Sequence, residues 1–310
     1  MFVGVSCGGE FWGLEAFRRV EELGYDGLFT GEHLIFHRPV WDSVTMCTAM
    51  ACATERIAIG PAATIAPLRH PTLLAKEFTG VDRISGGRLI LTLGVGGDNA
   101  KEFEAAGVPF ERLGRRTTEA LEILRLYFSG ERFSYFGKTY QLEDVWIDPP
   151  PVRPGGPPLW VAGRREASLR RAALLGDGFL PYMVTPKRCL AMFDSVRAMA
   201  AVEGRELGPG YAWGAYVYVS LGEDDEAARR AGDEHLASRY DEPRFLGDLA
   251  GKYVVAGGRD ACVEGLVRFA EAGCSHLVLS LVRAEDEPPV ERLEAVAATI
   301  LPELRRLVRP

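Results

Sequence analysis

Hydrophobic positions along the chain follow two periods. Short continuous apolar runs, too brief for helices, alternate with stretches in which apolar residues return every three or four positions. The first cycle is Phe2 to Ser6, an amphipathic Leu14 to Leu23 closed by Gly24, and Gly27 to Thr30. A strand, a crossover helix and a second strand are what parallel pairing requires. Asp42 is placed to cap a helix through Ala53, Ile57 to Ala63 reads as a third strand, and Pro71 opens a helix to Ile84. Gly60-Pro61 predicts a bulge in that third strand, because proline cannot donate to an interior ladder. A Ser85-Gly86-Gly87 turn then leads into Leu89 to Leu93, the clearest strand of the sequence.

The alternation continues to the end. A polar and aromatic loop precedes a helix from Arg115 to Phe128, and Phe133 to Ile147 reads as a small hairpin turning at Gly137-Lys138. The Pro-rich stretch from Pro149 to Pro158 is a surface connection, since strand Leu159 to Ala162, helix Ala167 to Leu175 and strand Gly178 to Pro181 follow at once. Helix Lys187 to Glu203, strand Tyr211 to Ser220, helices Glu226 to Tyr240 and Asp260 to Ala272, strand His276 to Ser280 and helix Val290 to Leu307 complete the pattern. Asp241 to Gly257 is a long irregular stretch, of the kind that forms lids or interfaces. Eight strands with intervening helices predict a single α/β domain over residues 1–310, a closed (β/α)8 TIM barrel with loop insertions.

Composition narrows the function classes. A net charge of -7 with no block of Lys or Arg argues against a nucleic-acid surface. Cys7, Cys47, Cys52, Cys189, Cys262 and Cys274 are scattered among apolar neighbours with no C-x-x-C pair, which predicts buried reduced thiols and no zinc site. With no signal-like start and no apolar run of membrane-spanning length, the expected location is the cytoplasm.

Candidate chemistry sits at three predicted strand ends. Asp26 to Trp41 (DGLFTGEHLIFHRPVW) stops a buried strand at Glu32-His33. At the carboxyl end of a barrel strand such groups suit catalysis, and they equally suit capping a loop. Gly94 to Gly97 lets a large flat group approach the backbone. Ala162-Gly163-Arg164-Arg165 opens a helix whose free N–H groups, with two guanidiniums and the Ser168 hydroxyl, suit a phosphate. G-V-G-G does not match a dinucleotide fingerprint, and each signal taken singly is weak.

Their order is more specific. D-G-L-F-x-x-E-H from Asp26, I-x-I-G-P from Ile57, L-R-H-P from Leu68 and R-I-S-G-G-R-L-x-L-x-L-G-V-G from Arg83 resemble the bacterial luciferase-like superfamily of flavin-dependent oxidoreductases. So do F-G-K-x-Y-x-L from Phe136, P-L-W-V-A-G from Pro158, L-G-D-G-F from Leu175 and A-G-C-S-H-L-V-L from Ala272. The resemblance runs from Phe2 to Leu281. It implies a TIM barrel, commonly dimeric, that binds FMN or the deazaflavin coenzyme F420; G-V-G-G and V-A-G-R are similar to the F420-dependent branch. Implied with it is hydride transfer between the deazaflavin and a small organic substrate. An FMN-dependent monooxygenase is the alternative, and a metal-dependent hydrolase or isomerase using Glu32 and His33 is a more distant one.

The resemblance also implies roles. His33 matches the histidine facing the ring system and becomes the proton carrier, with Glu32 next in line; Glu32 could instead point away and pin a loop. Ala62, Ala63 and Thr64 match a bulge with a non-prolyl cis peptide behind the coenzyme. Val95, Gly96 and Gly97 match the edge of the ring site; Ala162, Gly163, Arg164 and Arg165 match the phosphate loop; Tyr182 and Met183 are expected to line the ring pocket. Phe36, His37 and Trp41 are the substrate-side candidates. Glu10 reads as a loop acid within reach of the mouth, His70 as structural, and His235 and His276 as remote from it. One departure is visible: F420-dependent glucose-6-phosphate dehydrogenases carry a glutamate where this chain has Gly97-Asp98-Asn99 and a tryptophan where it has His37, so sugar-phosphate chemistry is not implied.

Overall fold

The computed structural model describes residues 1–240, 250–284 and 286–308. The chain begins β1 (Phe2–Ser6), α1 (Leu14–Glu22), β2 (Gly27–Thr30), α2 (Ser43–Ala53), β3 (Ala58–Pro61), β4 (Thr64–Ile65), α3 (Pro71–Ile84) and β5 (Leu91–Gly94). A short α4 (Ala100–Ala105), α5 (Leu113–Phe128) and the hairpin β6 (Phe133–Phe136) and β7 (Gln141–Val145) follow. Then come β8 (Leu159–Ala162), α6 (Glu166–Leu175), β9 (Gly178–Leu180), α7 (Pro186–Val202), β10 (Ala212–Leu221) and α8 (Asp225–Tyr240). The last elements are α9 (Ala250–Tyr253), β11 (Val254–Gly257), α10 (Arg259–Glu271), β12 (His276–Leu281), α11 (Pro289–Thr299) and α12 (Leu301–Leu307).

Nine strands follow one another in the order β3, β2, β1, β12, β10, β9, β8, β5, β4, with every pairing parallel. Because β3 and β4 are successive pieces of one segment, the sheet closes into a barrel of eight staves, as the hydrophobic pattern predicts. At the seam Ile59 donates to the Arg88 carbonyl at 3.1 Å and accepts from the Ile90 N–H at 2.9 Å. A side chain at position 60 would place its Cβ 2.0 Å from the Ile90 oxygen, so glycine is what lets β3 approach there. The stave breaks at the Ala62–Ala63 peptide, which is cis.

Aromatic rings close the amino-terminal end of the lumen. Phe2 packs edge-on to Phe29 at 6.2 Å, Phe29 stacks on Trp160 at 6.3 Å, and Trp160 meets His276 at 5.1 Å. Gly4, Gly27 and Gly178 make room for these rings: a Cβ at any of them would lie within 2.7 Å of Phe2, Phe29 or Trp160. The larger core lies between sheet and helices, with Phe17, Met50, Phe78, Leu121, Phe193 and Leu266 fully covered.

Three elements differ from expectation. The stretch Asp241 to Gly257 holds α9 and β11, and β11 pairs with the end of the long β10; residues 241–249 lie outside the described ones. The final helix breaks at Ile300, because Pro302 has no N–H and its ring disfavours a continuing turn. The loop before α5 contains α4. Among the cysteines, all free, Cys52 is exposed and the other five are buried.

Candidate active site

Parallel register brings Thr30, Pro61, Gly94, Ala162 and Leu180 to one rim, the carboxyl mouth of the barrel. Glu32, just beyond β2, is buried, and both its oxygens are occupied. Oε1 accepts from the Ser43 hydroxyl at 2.7 Å and pairs with Arg69 at 2.7 Å; Oε2 accepts from the Ile65 N–H at 2.7 Å. Arg69 also pairs with Asp42, the cap of α2, and with Glu77 of α3. Burial works against the Arg69 guanidinium, yet the Glu32 and Asp42 carboxylates outweigh it and raise its proton affinity. Glu32 therefore ties β2, α2, β4 and the start of α3 together, and none of its hydrogen bonds is to His33.

His33 points the other way. Its Nδ1 lies 3.3 Å from Oε2 of Glu102, and that oxygen also accepts the Leu34 N–H at 3.1 Å. Glu102 is fully buried, and its Oε1 has no partner. Phe36 stacks on the imidazole at 4.0 Å with planes 11° apart. Asn99 caps α4 through the Lys101 N–H and donates to the Ile35 carbonyl at 2.9 Å, which fixes α4 against the His33 loop. Sequence reasoning missed Glu102 because it missed α4. The signal was there: Asn99 followed three residues later by Glu102 is a helix-start pattern.

The glycine segments meet as expected in space. β4 pairs with β5, β5 with β8 and β8 with β9, so Ala62 to Thr64, Gly94 to Gly97, Ala162 to Arg165 and Tyr182-Met183 occupy four consecutive stave ends. The first three of these stave ends are built largely of alanine and glycine, and the fourth carries Tyr182 and Met183. A Cβ on Gly97 would meet nothing nearer than Phe110 at 4.0 Å, so its outer face is open. One on Gly163 would sit 2.3 Å from the Ser168 hydroxyl, so glycine leaves that hydroxyl lying against the loop. No side chain caps α6, which begins directly after this loop; the Ser168 and Leu169 N–H groups bond the Arg165 carbonyl, and those of Glu166 and Ala167 have no helical acceptor. Arg164 stacks over Tyr182 at 4.8 Å, and burial followed by nearby Asp98 raises the Tyr182 hydroxyl above its ordinary range. Val95 packs against the small cluster of Ile65, Phe103, Val108 and Leu113.

The opposite arc is charged. Glu10 bridges Arg38 and Arg283, so it is a paired acid. His37, expected on the substrate side, hydrogen-bonds the Ser238 carbonyl of α8 at 2.8 Å. Arg38 donates to the Ser238 hydroxyl at 3.3 Å, and Arg239 to the Gly8 carbonyl at 3.4 Å. His235 is not remote from the mouth: it is held neutral, down to about 3, by burial and by Arg239, Arg38 and Arg283. Trp41 is half-exposed and packs on Phe11, which meets Phe17 of α1, on the outer side of the rim. His276 lies at the far end of the barrel, and His70 caps α3 through the Thr72 N–H.

A closed parallel barrel with a glycine-rich arc at its carboxyl mouth has room for a flat, anion-bearing ligand. The chain belongs to the luciferase-like monooxygenase family, which it matches over residues 13–276. A 5,10-methylenetetrahydromethanopterin reductase of Archaeoglobus fulgidus is 29% identical over 211 residues, 68% of this chain and 60% of the relative. An F420-dependent glucose-6-phosphate dehydrogenase of Beutenbergia cavernae is 29% identical over an alignment of 322 residues covering 92% of this chain and 90% of the relative. The solved structure of an F420-dependent secondary alcohol dehydrogenase in complex with an F420-acetone adduct shares the fold, with a TM-score of 0.83 at 18% identity, covering 98% of this chain and 99% of that one.

Proposed function

We propose that this protein is a coenzyme F420-dependent oxidoreductase that passes a hydride between the deazaflavin and a small organic substrate. The observation that carries the reading is the bare arc: the ends of β4, β5 and β8 offer mostly backbone, alanine and glycine, and β8 leads to an uncapped helix N-terminus beside two exposed arginines. A flat ring system fits the first part and a phosphate the second. Both relatives described above support the deazaflavin over FMN, since one is named for F420 and the other is a reductase of the F420-dependent branch that the motifs resemble.

When bound, the coenzyme supplies a carbon centre that accepts or gives a hydride. The chain supplies the rest. Ala62, Ala63, Thr64, Gly96 and Gly97 support the ring, with Val95 contributing backbone; Gly163, Arg164, Arg165 and the α6 N-terminus hold the phosphate; Met183 closes the pocket. His33 carries the substrate proton, and Phe36, stacked on it, forms the substrate wall. Glu32 positions the loop from within its ion-pair network. Among the described residues no group of three or more His, Cys, Asp or Glu could hold a metal ion, and no helix is long and apolar enough to cross a membrane.

We place the protein in the cytoplasm as a homodimer without nucleic-acid partners. Its free thiols and net charge of -7 support this, as does the α2–α3 surface, where α2 has no charged residue and Leu73 and Ile84 of α3 are exposed. Light scattering on the purified protein reads the dimer directly. The chemical reading is tested by following deazaflavin absorbance anaerobically across a panel of alcohols, carbonyls and imines. The expected result is substrate-dependent gain or loss of the oxidised deazaflavin. Product formation that consumes oxygen with reduced FMN would replace this reading by the monooxygenase one.

A further inference from the structure

We infer that Glu102 is a positioning residue that fixes the tautomer of His33, so that Nδ1 carries the ring proton and Nε2 is the nitrogen that exchanges a proton with substrate. The inference rests on the role proposed above for His33 and adds to it a second residue, on a different element.

A single oxygen of Glu102 meets both the loop backbone and the imidazole. Oε2 of Glu102 accepts the Leu34 N–H, which can only donate. The same oxygen lies 3.3 Å from Nδ1 of His33. Taken as a carboxylate, Glu102 has only acceptors, so the ring nitrogen facing Oε2 is the donor. Oε1 is buried with no partner, so Oε2 alone joins Glu102 to the His33 loop. Nδ1–H therefore points at Glu102, and the Nε2 lone pair lies on the opposite edge of the ring. Phe36, parallel to the imidazole at 4.0 Å, holds the ring plane, and Asn99 locks α4 to the loop through the Ile35 carbonyl. The only charged side chain within hydrogen-bond distance of the ring among the described residues is Glu102. A carboxylate behind a histidine both orients it and stabilises the imidazolium formed when it takes a proton.

Two variants separate this role from simple packing. In Glu102→Gln the amide oxygen still faces the Leu34 N–H, so the tautomer is retained while the charge is lost. In Glu102→Ala both are lost. Nitrogen-15 NMR of the His33 ring, recorded on protein without substrate or coenzyme, reads the tautomer whatever the enzyme's reaction is. The wild type and Glu102→Gln are expected to show protonated Nδ1, and Glu102→Ala a mixture of the two forms. With the deazaflavin assay, turnover is expected to fall about 10-fold in Glu102→Gln and to approach the His33→Ala level in Glu102→Ala, with coenzyme affinity unchanged in both. If Glu102→Ala proves unfolded, the wild-type and Glu102→Gln spectra still decide the tautomer. A wild-type ring protonated on Nε2, or a folded Glu102→Ala protein that keeps the Nδ1–H form, overturns the assignment. If no substrate turns over but the tautomer follows the prediction, the proposed reaction fails and the Glu102 assignment stands.

Discussion

The two arcs of the barrel mouth are made from different materials. From β4 to β8 the rim is mostly backbone, alanine and glycine, and its shape comes from what is missing at Gly97 and Gly163. From β12 through β1 to β2 the rim is long side chains: Glu10 between Arg38 and Arg283, His37 on α8, and Glu32 in its network with Arg69. The first arc offers a surface on which a planar ligand can lie at close range. The second holds loops in place through contacts between residues far apart in sequence. On the proposed reading ligand shape is set by the bare arc, while His33 comes from the charged arc and is aligned from across the mouth by Glu102 of α4.

Substitutions in the charged arc and at Glu102 should therefore act on stability or turnover, and those at the glycines of the bare arc on coenzyme affinity. The largest effect is expected for Glu32→Ala, which leaves Arg69 partly buried with reduced compensation and should cost about 3–5 kcal/mol in urea unfolding. A loss below about 1 kcal/mol would mean the network is ornamental. Next is His33→Ala, with turnover lower by about 100-fold or more, about 2.7 kcal/mol in the barrier, while coenzyme affinity changes little. An unchanged rate would remove His33 from the chemistry. In the bare arc, Gly163→Ala forces a Cβ against the Ser168 hydroxyl and should weaken coenzyme binding about 10-fold, about 1.4 kcal/mol, with turnover at saturation retained. Equal affinity with lost turnover would reverse the assignment of the two arcs.

Smaller effects come from pH and from the outer rim. Burial, then charged neighbours, hold His235 down to about 3 and His276 down to about 4. Above their ordinary value near 6.5 neither state binds the proton, so they contribute no pH slope there. Below it the unfolded chain takes up protons that the folded protein refuses. Stability should thus fall as pH drops from about 6.5 towards the folded values, by at most about 1.4 kcal/mol per pH unit for each group. Replacing His276 with Phe should flatten part of that slope in unfolding curves measured between these limits. Trp41→Ala, on the outer side of the rim, should change the apparent KM by less than about 2-fold, as surface substitutions do. A 10-fold change would return Trp41 to the substrate pocket.

The two arcs also differ in how far the sequence announces them. Much of the bare arc was legible because its residues are local: glycine punctuates strands that the hydrophobic period already places, so Gly94 to Gly97 and Ala162 to Arg165 could be read one segment at a time, while Ala62 to Thr64 came from the family resemblance. Helix starts with a local cap were legible for the same reason, as at Asp42 and Pro71. The charged arc was not, because nothing near Glu32 names Arg69 as its partner, and nothing near His37 names Ser238, 201 residues away. The strand Val254–Gly257 escaped because its pairing with β10, over Tyr218 to Leu221, is long-range. Glu102 escaped because a helix of six residues carries too little periodicity to stand out from a polar loop.

The central claim is that the bare arc is shaped for a deazaflavin. A parallel titration of the purified protein with coenzyme F420 and with FMN, read by fluorescence quenching, tests it most directly. Saturable binding of the deazaflavin in the micromolar range, about 8 kcal/mol, with FMN at least about 10-fold weaker, is the predicted result. Micromolar binding of FMN with none of the deazaflavin would contradict it.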